Sequence, residues 1–145
     1  MAKGTPDYHD ADLLLRVYEM RREAVIRTSR DAINGKFWPS NYDEVKAVAS
    51  GNHELNAAYR QLSTYWEMVY GLVRHGIVNT EFFLETNGEG IFLYAKVEPY
   101  LEQLRKDFNP FILANTEWVA KETERGRTMA GLFKGRVQKM LEAKK

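Results

Sequence analysis

The stretch from His53 to His75 constrains the chain more than any other. Leu55, Ala58, Tyr59, Leu62, Tyr65, Trp66, Val69, Tyr70, Leu72 and Val73 return every third or fourth position. At 100° per residue they share one side of a wheel, while Arg60, Thr64, Glu67 and Arg74 take the other. Only a long amphipathic α-helix accounts for that period, and its apolar flank requires other helices to cover it. Gly76 supplies the stop, with Ile77 placed to fold back as an apolar cap contact.

The flanking segments carry the same period in shorter pieces. Thr5-Pro6-Asp7 reads as a helix start, followed by Leu13, Leu14, Val17, Tyr18, Ala24 and Val25, with Asn34-Gly35 as the end. Phe37-Trp38-Pro39 is a bulky linker. Ser40 and Asp43 then resemble a capping box ahead of a short helix through Val45, Val48 and Ala49. Asn79-Thr80-Glu81 caps a further short helix carrying Phe82, Phe83 and Leu84, and Asn87-Gly88-Glu89-Gly90 breaks it. A helix from about Ile91 to Phe108 should kink or break at Pro99, which lacks a donor and crowds the preceding turn. Asn109-Pro110 opens another helix through Trp118 and Val119, which Gly126 can interrupt. No stretch alternates apolar and polar residues between turn signals, so strands are not expected. The reading is an all-α fold: an antiparallel bundle of about five or six helices, one domain over residues 1–145, ending in a basic amphipathic helix at about 127–143.

A chain of 145 residues, 44% hydrophobic and 28% charged, buries enough apolar surface to fold without staples. It contains no cysteine, which removes disulfides, thiolate metal sites and cysteine nucleophiles and suits a reducing compartment. Twenty-one bases against 20 acids give a net charge of +1, which argues against a dedicated nucleic-acid binder. The start Met1-Ala2-Lys3-Gly4 lacks the apolar run of a secretion signal, and the longest apolar runs are too short to span a bilayer. A cytoplasmic location is the expectation.

Tyr65 to Arg105 also resembles part of a family of uncharacterised bacterial helical proteins. The residues that carry the likeness are Trp66-Glu67, Leu72-Val73-Arg74-His75-Gly76-Ile77-Val78, Phe82-Phe83, and Pro99-Tyr100 before Leu101 and Leu104. The resemblance implies a helical fold and no established activity. It also implies, in many members, a membrane-spanning helix ahead of this region, for which this sequence has no counterpart.

Chemical motifs are sparse. Glu-x-x-His pairs of the kind that di-iron bundles need are missing, and His53-Glu54 is not followed by the second histidine of a zinc site. Asp7, His9 and Asp10 offer local ligands, on a terminus expected to be mobile. Glu98 with Glu102, and Glu81 with Glu85, could share a face, although Glu102 is equally placed to pair with Lys106. Asn87-Gly88-Glu89-Gly90 lacks the order of a phosphate loop, and no Gly-x-Ser-x-Gly elbow occurs. No catalytic residue, metal or cofactor is assigned. Arg74 and His75 at a helix C-terminus are candidate anion ligands, with complementarity to the helix dipole as the simpler account.

The last segment shifts in composition. From Arg125 to Lys145, seven bases face Glu142 alone, a net +6, which leaves −5 for the remainder. Arg127, Lys134, Arg136 and Lys139 are candidate anion or surface-binding groups. Trp38, Trp118, Met129, Leu132 and Phe133 are candidate interface residues, because large apolar side chains anchor protein contacts. The expectation is a non-catalytic interaction module that associates with itself or another protein. Peripheral binding to a membrane or an anionic polymer through the basic helix is the first alternative. A ligand or enzymatic pocket among the tyrosines is the second.

Overall fold

A computed structural model describes residues 3–145, and every regular element among them is helical. The elements are α1 (Tyr8–Arg21), α2 (Ala24–Lys36), α3 (Tyr42–Ala49), α4 (Asn56–Arg74), α5 (Thr80–Leu84), α6 (Glu89–Val97), a 3-10 turn (Glu98–Tyr100), α7 (Leu101–Asp107), α8 (Ala114–Glu122) and α9 (Glu124–Ala143).

The chain is cut into more rods than the apolar period indicates, because several breaks come from side-chain caps. Periodicity runs unbroken from Leu13 to Val25, yet α1 stops at Arg21 and α2 restarts at Ala24. Glu23 makes the cut: its backbone is extended, and its carboxylate accepts from the N–H groups of Val25 and Ile26 at 3.0 and 3.3 Å. The box expected at Ser40 and Asp43 is displaced by one residue. Asn41 is the cap and accepts from Glu44 N at 2.9 Å, while Glu44 reaches back to the N–H of Ser40 at 2.8 Å. The helix expected from Asn109-Pro110 begins only at Ala114, after Leu113 adopts a left-handed conformation (φ 53°) that few side chains tolerate. Gly126 does not interrupt the last helix; Thr123 starts it, accepting from Gly126 N at 2.9 Å.

Other expectations hold. Gly76 turns left-handed after α4 (φ 71°), and Ile77 N donates to Leu72 O at 2.9 Å, closing the helix. Ile77 itself is half exposed, so the apolar contact expected of it is partial. Pro99 falls in the 3-10 turn that separates α6 from α7.

Helix α4 is the spine. Trp66, Tyr70, Leu62 and Val69 on its apolar flank are fully buried, each burial contributing roughly 1.5–3 kcal/mol. Its neighbours are α2, α8, α6 and α3, and α9 lies across α6 and α8. Ile33, Phe83, Leu84, Ile91, Val97, Leu104 and Val119 complete one continuous core.

Candidate functional site: a lysine–aromatic seam beneath the C-terminal helix

The first turn of α6 is tied to the bundle by one carboxylate. Glu89 accepts from Arg30 Nε at 2.7 Å, Asn34 Nδ2 at 3.3 Å and Trp66 Nε1 at 3.2 Å, so α2, α4 and α6 meet on it. The position suits an acid, since it lies at the positive end of the α6 dipole. Gly90 beside it packs so closely that a Cβ there would stand 2.5 Å from the Tyr70 ring.

Two turns along α6, Lys96 is only 1% exposed. Its ammonium donates to Ile33 O at 3.1 Å and lies 3.9 Å from the Trp38 ring centre and 4.7 Å from that of Phe92. Aromatic faces replace part of the water a buried ammonium forfeits. Burial still lowers its pKa from the ordinary 10.5 to about 8, with the negative charge of Glu89 acting the other way. Trp38 packs edge-on to Phe92 at 5.8 Å, Phe92 meets Phe133 of α9 at 5.2 Å, and the Arg136 guanidinium stands 5.4 and 5.5 Å from the Phe92 and Phe133 rings. Lys144 closes the far end, donating to Trp38 O at 3.0 Å. Met129 lies against Gly88, and its terminal methyl would have to shift to admit a Cβ there.

Four of the candidate residues thus converge within one chain. Trp38, Met129 and Phe133 are turned inward, and Arg136 lies on the aromatic rings. Trp118 is also packed against the core. Leu132 alone of the interface candidates faces outward, 70% exposed; Lys139 follows it two turns along the same side of α9, while Arg127 and Lys134 are exposed on the other flank. Arg127 spends one guanidinium donor on Lys121 O at 2.9 Å. Arg74 donates to Asn115 Oδ1 at 3.2 Å, and His75 is exposed just past the end of α4, so the two do not converge on a shared ligand position.

The remaining polar candidates are structural ties. Asp7 and Asp10 form the capping box of α1. The terminus expected to be mobile is instead anchored: Asp10 is fully buried, accepts from Asn79 N at 2.8 Å and bridges Lys3 at 3.1 Å. No three metal-ligating side chains cluster among the described residues. Glu67, placed on the solvent side of the wheel, is half-buried and caps α8, accepting from Asn115 N, Thr116 N and Thr116 Oγ1 at 2.7 to 2.9 Å. Glu81 bridges Arg125 at 2.7 Å, which fastens α5 to α9. Glu98 and Glu102 line an open cleft of about 600 Å³ with Arg105, Lys106, Glu117 and Lys121, and acids and bases pair within it.

The tyrosines spend their hydroxyls on the fold. Tyr65 donates to Val17 O at 2.7 Å, Tyr70 to Asn87 O at 2.8 Å and Tyr94 to Glu117 at 3.3 Å. Burial raises the pKa of Tyr59 and of Tyr65 to about 12, and those of Tyr70 and Tyr94 further still.

Fold and seam together define an all-helical domain whose interior polar groups join its helices to one another. The chain belongs to the family described as Domain of unknown function (DUF4760), which matches residues 7–123. This is a far wider span than the 65–105 that carry the resemblance in the sequence. Helix α9 and the inner groups it contributes lie beyond the matched span. No curated protein matches the chain, and no solved structure does. No helix among the described residues is long and apolar enough to cross a membrane.

Proposed function

We propose that this chain is a non-catalytic helical interaction module, a single domain built as an antiparallel bundle, which presents the outer face of α9 to an acidic protein partner. The cytoplasm of a bacterium is its proposed setting, in keeping with a chain that carries no cysteine. One observation carries the reading. Met129, Phe133 and Val137 are consumed in seating α9 on the bundle, which leaves Leu132 and Lys139 exposed on one flank of its outer face and Arg127 and Lys134 on the other. Cations on both flanks of an outer face that also carries one apolar anchor suit a partner with carboxylates around an apolar residue.

The test is fluorescence anisotropy of a labelled glutamate-rich peptide containing one leucine, titrated with the protein at low and at raised salt. The triple variant Arg127→Gln, Lys134→Gln, Lys139→Gln should weaken binding at least about tenfold, three rim charges together supplying roughly 1.4 kcal/mol. Equal binding by wild type and variant would remove the proposal. Pelleting of the wild type with phosphatidylserine vesicles, without affinity for the peptide, would favour the membrane-surface alternative, whose supporting observation is the same set of exposed bases.

A further inference from the structure

Helix α1 is apolar on two sides. Leu13, Leu14 and Val17 turn to the body of the protein, where Val17 is fully buried and the two leucines pack on the core. A neighbouring flank carries Tyr8, half-buried Ala11, Leu15 and Tyr18, spaced by three, four and three residues, the a/d rhythm of a coiled-coil seam. Tyr8 is 94% exposed, Leu15 57% and Tyr18 45%. A soluble helix that needs only one neighbour keeps charged residues on its outer face. This one sets the exposed Tyr8 and Leu15 there beside Asp12 and Glu19.

The charges along α1 indicate what fits the seam. Asp7 and Asp12 lie exposed at the start of the helix, Asp10 being turned into the body, and Arg21 and Arg22 lie at its end, both guanidinium carbons 5.5 Å from the centre of the Tyr18 ring. Arg16 pairs with Asp12 within the helix at 3.4 Å, and Glu19 occupies a flanking heptad position. A parallel pair of such helices would set arginines against arginines. An antiparallel pair sets the aspartate end of one against the arginine end of the other, and it matches the seam sterically: Ala11 faces Leu15 of the second copy and Tyr8 faces Tyr18.

We propose that α1 is a self-association surface, on which a second copy of this chain docks its own α1 antiparallel about a two-fold axis between Ala11 and Leu15. The contact is isologous, so it closes at a dimer. A helix of 14 residues is about 21 Å long, which places the buried area near the low end of what specific complexes need, about 1,000 Å². The dimer is therefore in equilibrium with monomer. This surface is independent of the outer face of α9, so either proposal can fail alone.

Light scattering on the full chain across a concentration series reads the first outcome: a rise from monomer to dimer mass. Leu15→Lys with Tyr18→Glu should hold the protein at monomer mass with an unchanged circular dichroism spectrum, whereas Leu132→Lys on α9 should still dimerise. A wild type that is monomeric throughout, or a dimer that persists in the α1 variant, overturns the proposal. Because the chain has no cysteine, orientation can be read separately. A mixture of Tyr8→Cys and Tyr18→Cys proteins should form the mixed disulfide dimer under mild oxidation. Preferential linkage of Tyr8→Cys to itself would show a parallel pair and overturn the antiparallel arrangement.

Discussion

Lys96 and Trp38 are locked together: the ammonium on α6 sits 3.9 Å from the centre of the indole ring that the linker after α2 lays across it. The linker thus lays an aromatic wall against a buried charge, and Phe92 and Phe133 extend that wall to α9. Removing the charge alters how stability depends on pH. The folded-state pKa of Lys96 is about 8 against an ordinary 10.5, so between these values the unfolded chain holds a proton that the folded chain has released. Stability from this residue therefore rises with pH across that window. Relative to Lys96→Met, the wild type should gain on the order of 2 kcal/mol between pH 7 and pH 10, read from urea midpoints of the two proteins. A constant difference across that range would show that the ammonium is not desolvated.

The tyrosines impose the opposite slope at higher pH. Tyr59 and Tyr65 ionise near 12 in the folded protein, and Tyr70 and Tyr94 later still, whereas in the unfolded chain all four ionise near 10. Above pH 10 the unfolded state is the one that has lost protons, so stability falls as pH rises. Tyrosinate absorbance should show these four of the eight tyrosines appearing only together with the loss of helical circular dichroism. Smooth ionisation of all eight ahead of unfolding would contradict their burial.

How much of this was legible in the letters follows from where the information resides. Helix α4 was readable through its body and at its Gly76 stop, because ten apolar residues in a 3.6-residue rhythm leave no other fold for it, although it starts at Asn56 and not at His53. The break at Pro99 was readable because proline acts on its own turn. The cut at Glu23 was hidden, since an acid at a cap differs from an acid on a surface only once the chain has turned. Glu67 is the clearest case. On the wheel it belongs with Arg60 and Thr64, and only the arrival of α8, 48 residues later, turns it from a solvated charge into a cap. The seam was half legible: Trp38, Phe133 and Arg136 stood out by type, but composition marks a sticky residue without saying whether its partner lies in the same chain. Lys96 gave no signal at all, being one lysine in an apolar run until Trp38 folds over it.

Two glycines of α9 look alike in sequence and differ in space. Gly126 is buried where α8 hands over to α9, and a Cβ there would overlap the carbonyl oxygen of Val119, a backbone atom that cannot swing aside. Gly131 faces open solvent on the outer side of the same helix, with nothing near the position of its missing Cβ. Substitution by alanine should therefore act in opposite directions. Gly126→Ala should destabilise by about 1–3 kcal/mol through overpacking. Gly131→Ala should stabilise by about 1 kcal/mol through helix propensity alone. Thermal melts of the two variants beside the wild type decide it: a Gly126→Ala protein that melts no lower would mean that α9 does not start as closely against α8 as Thr123 and Val119 place it.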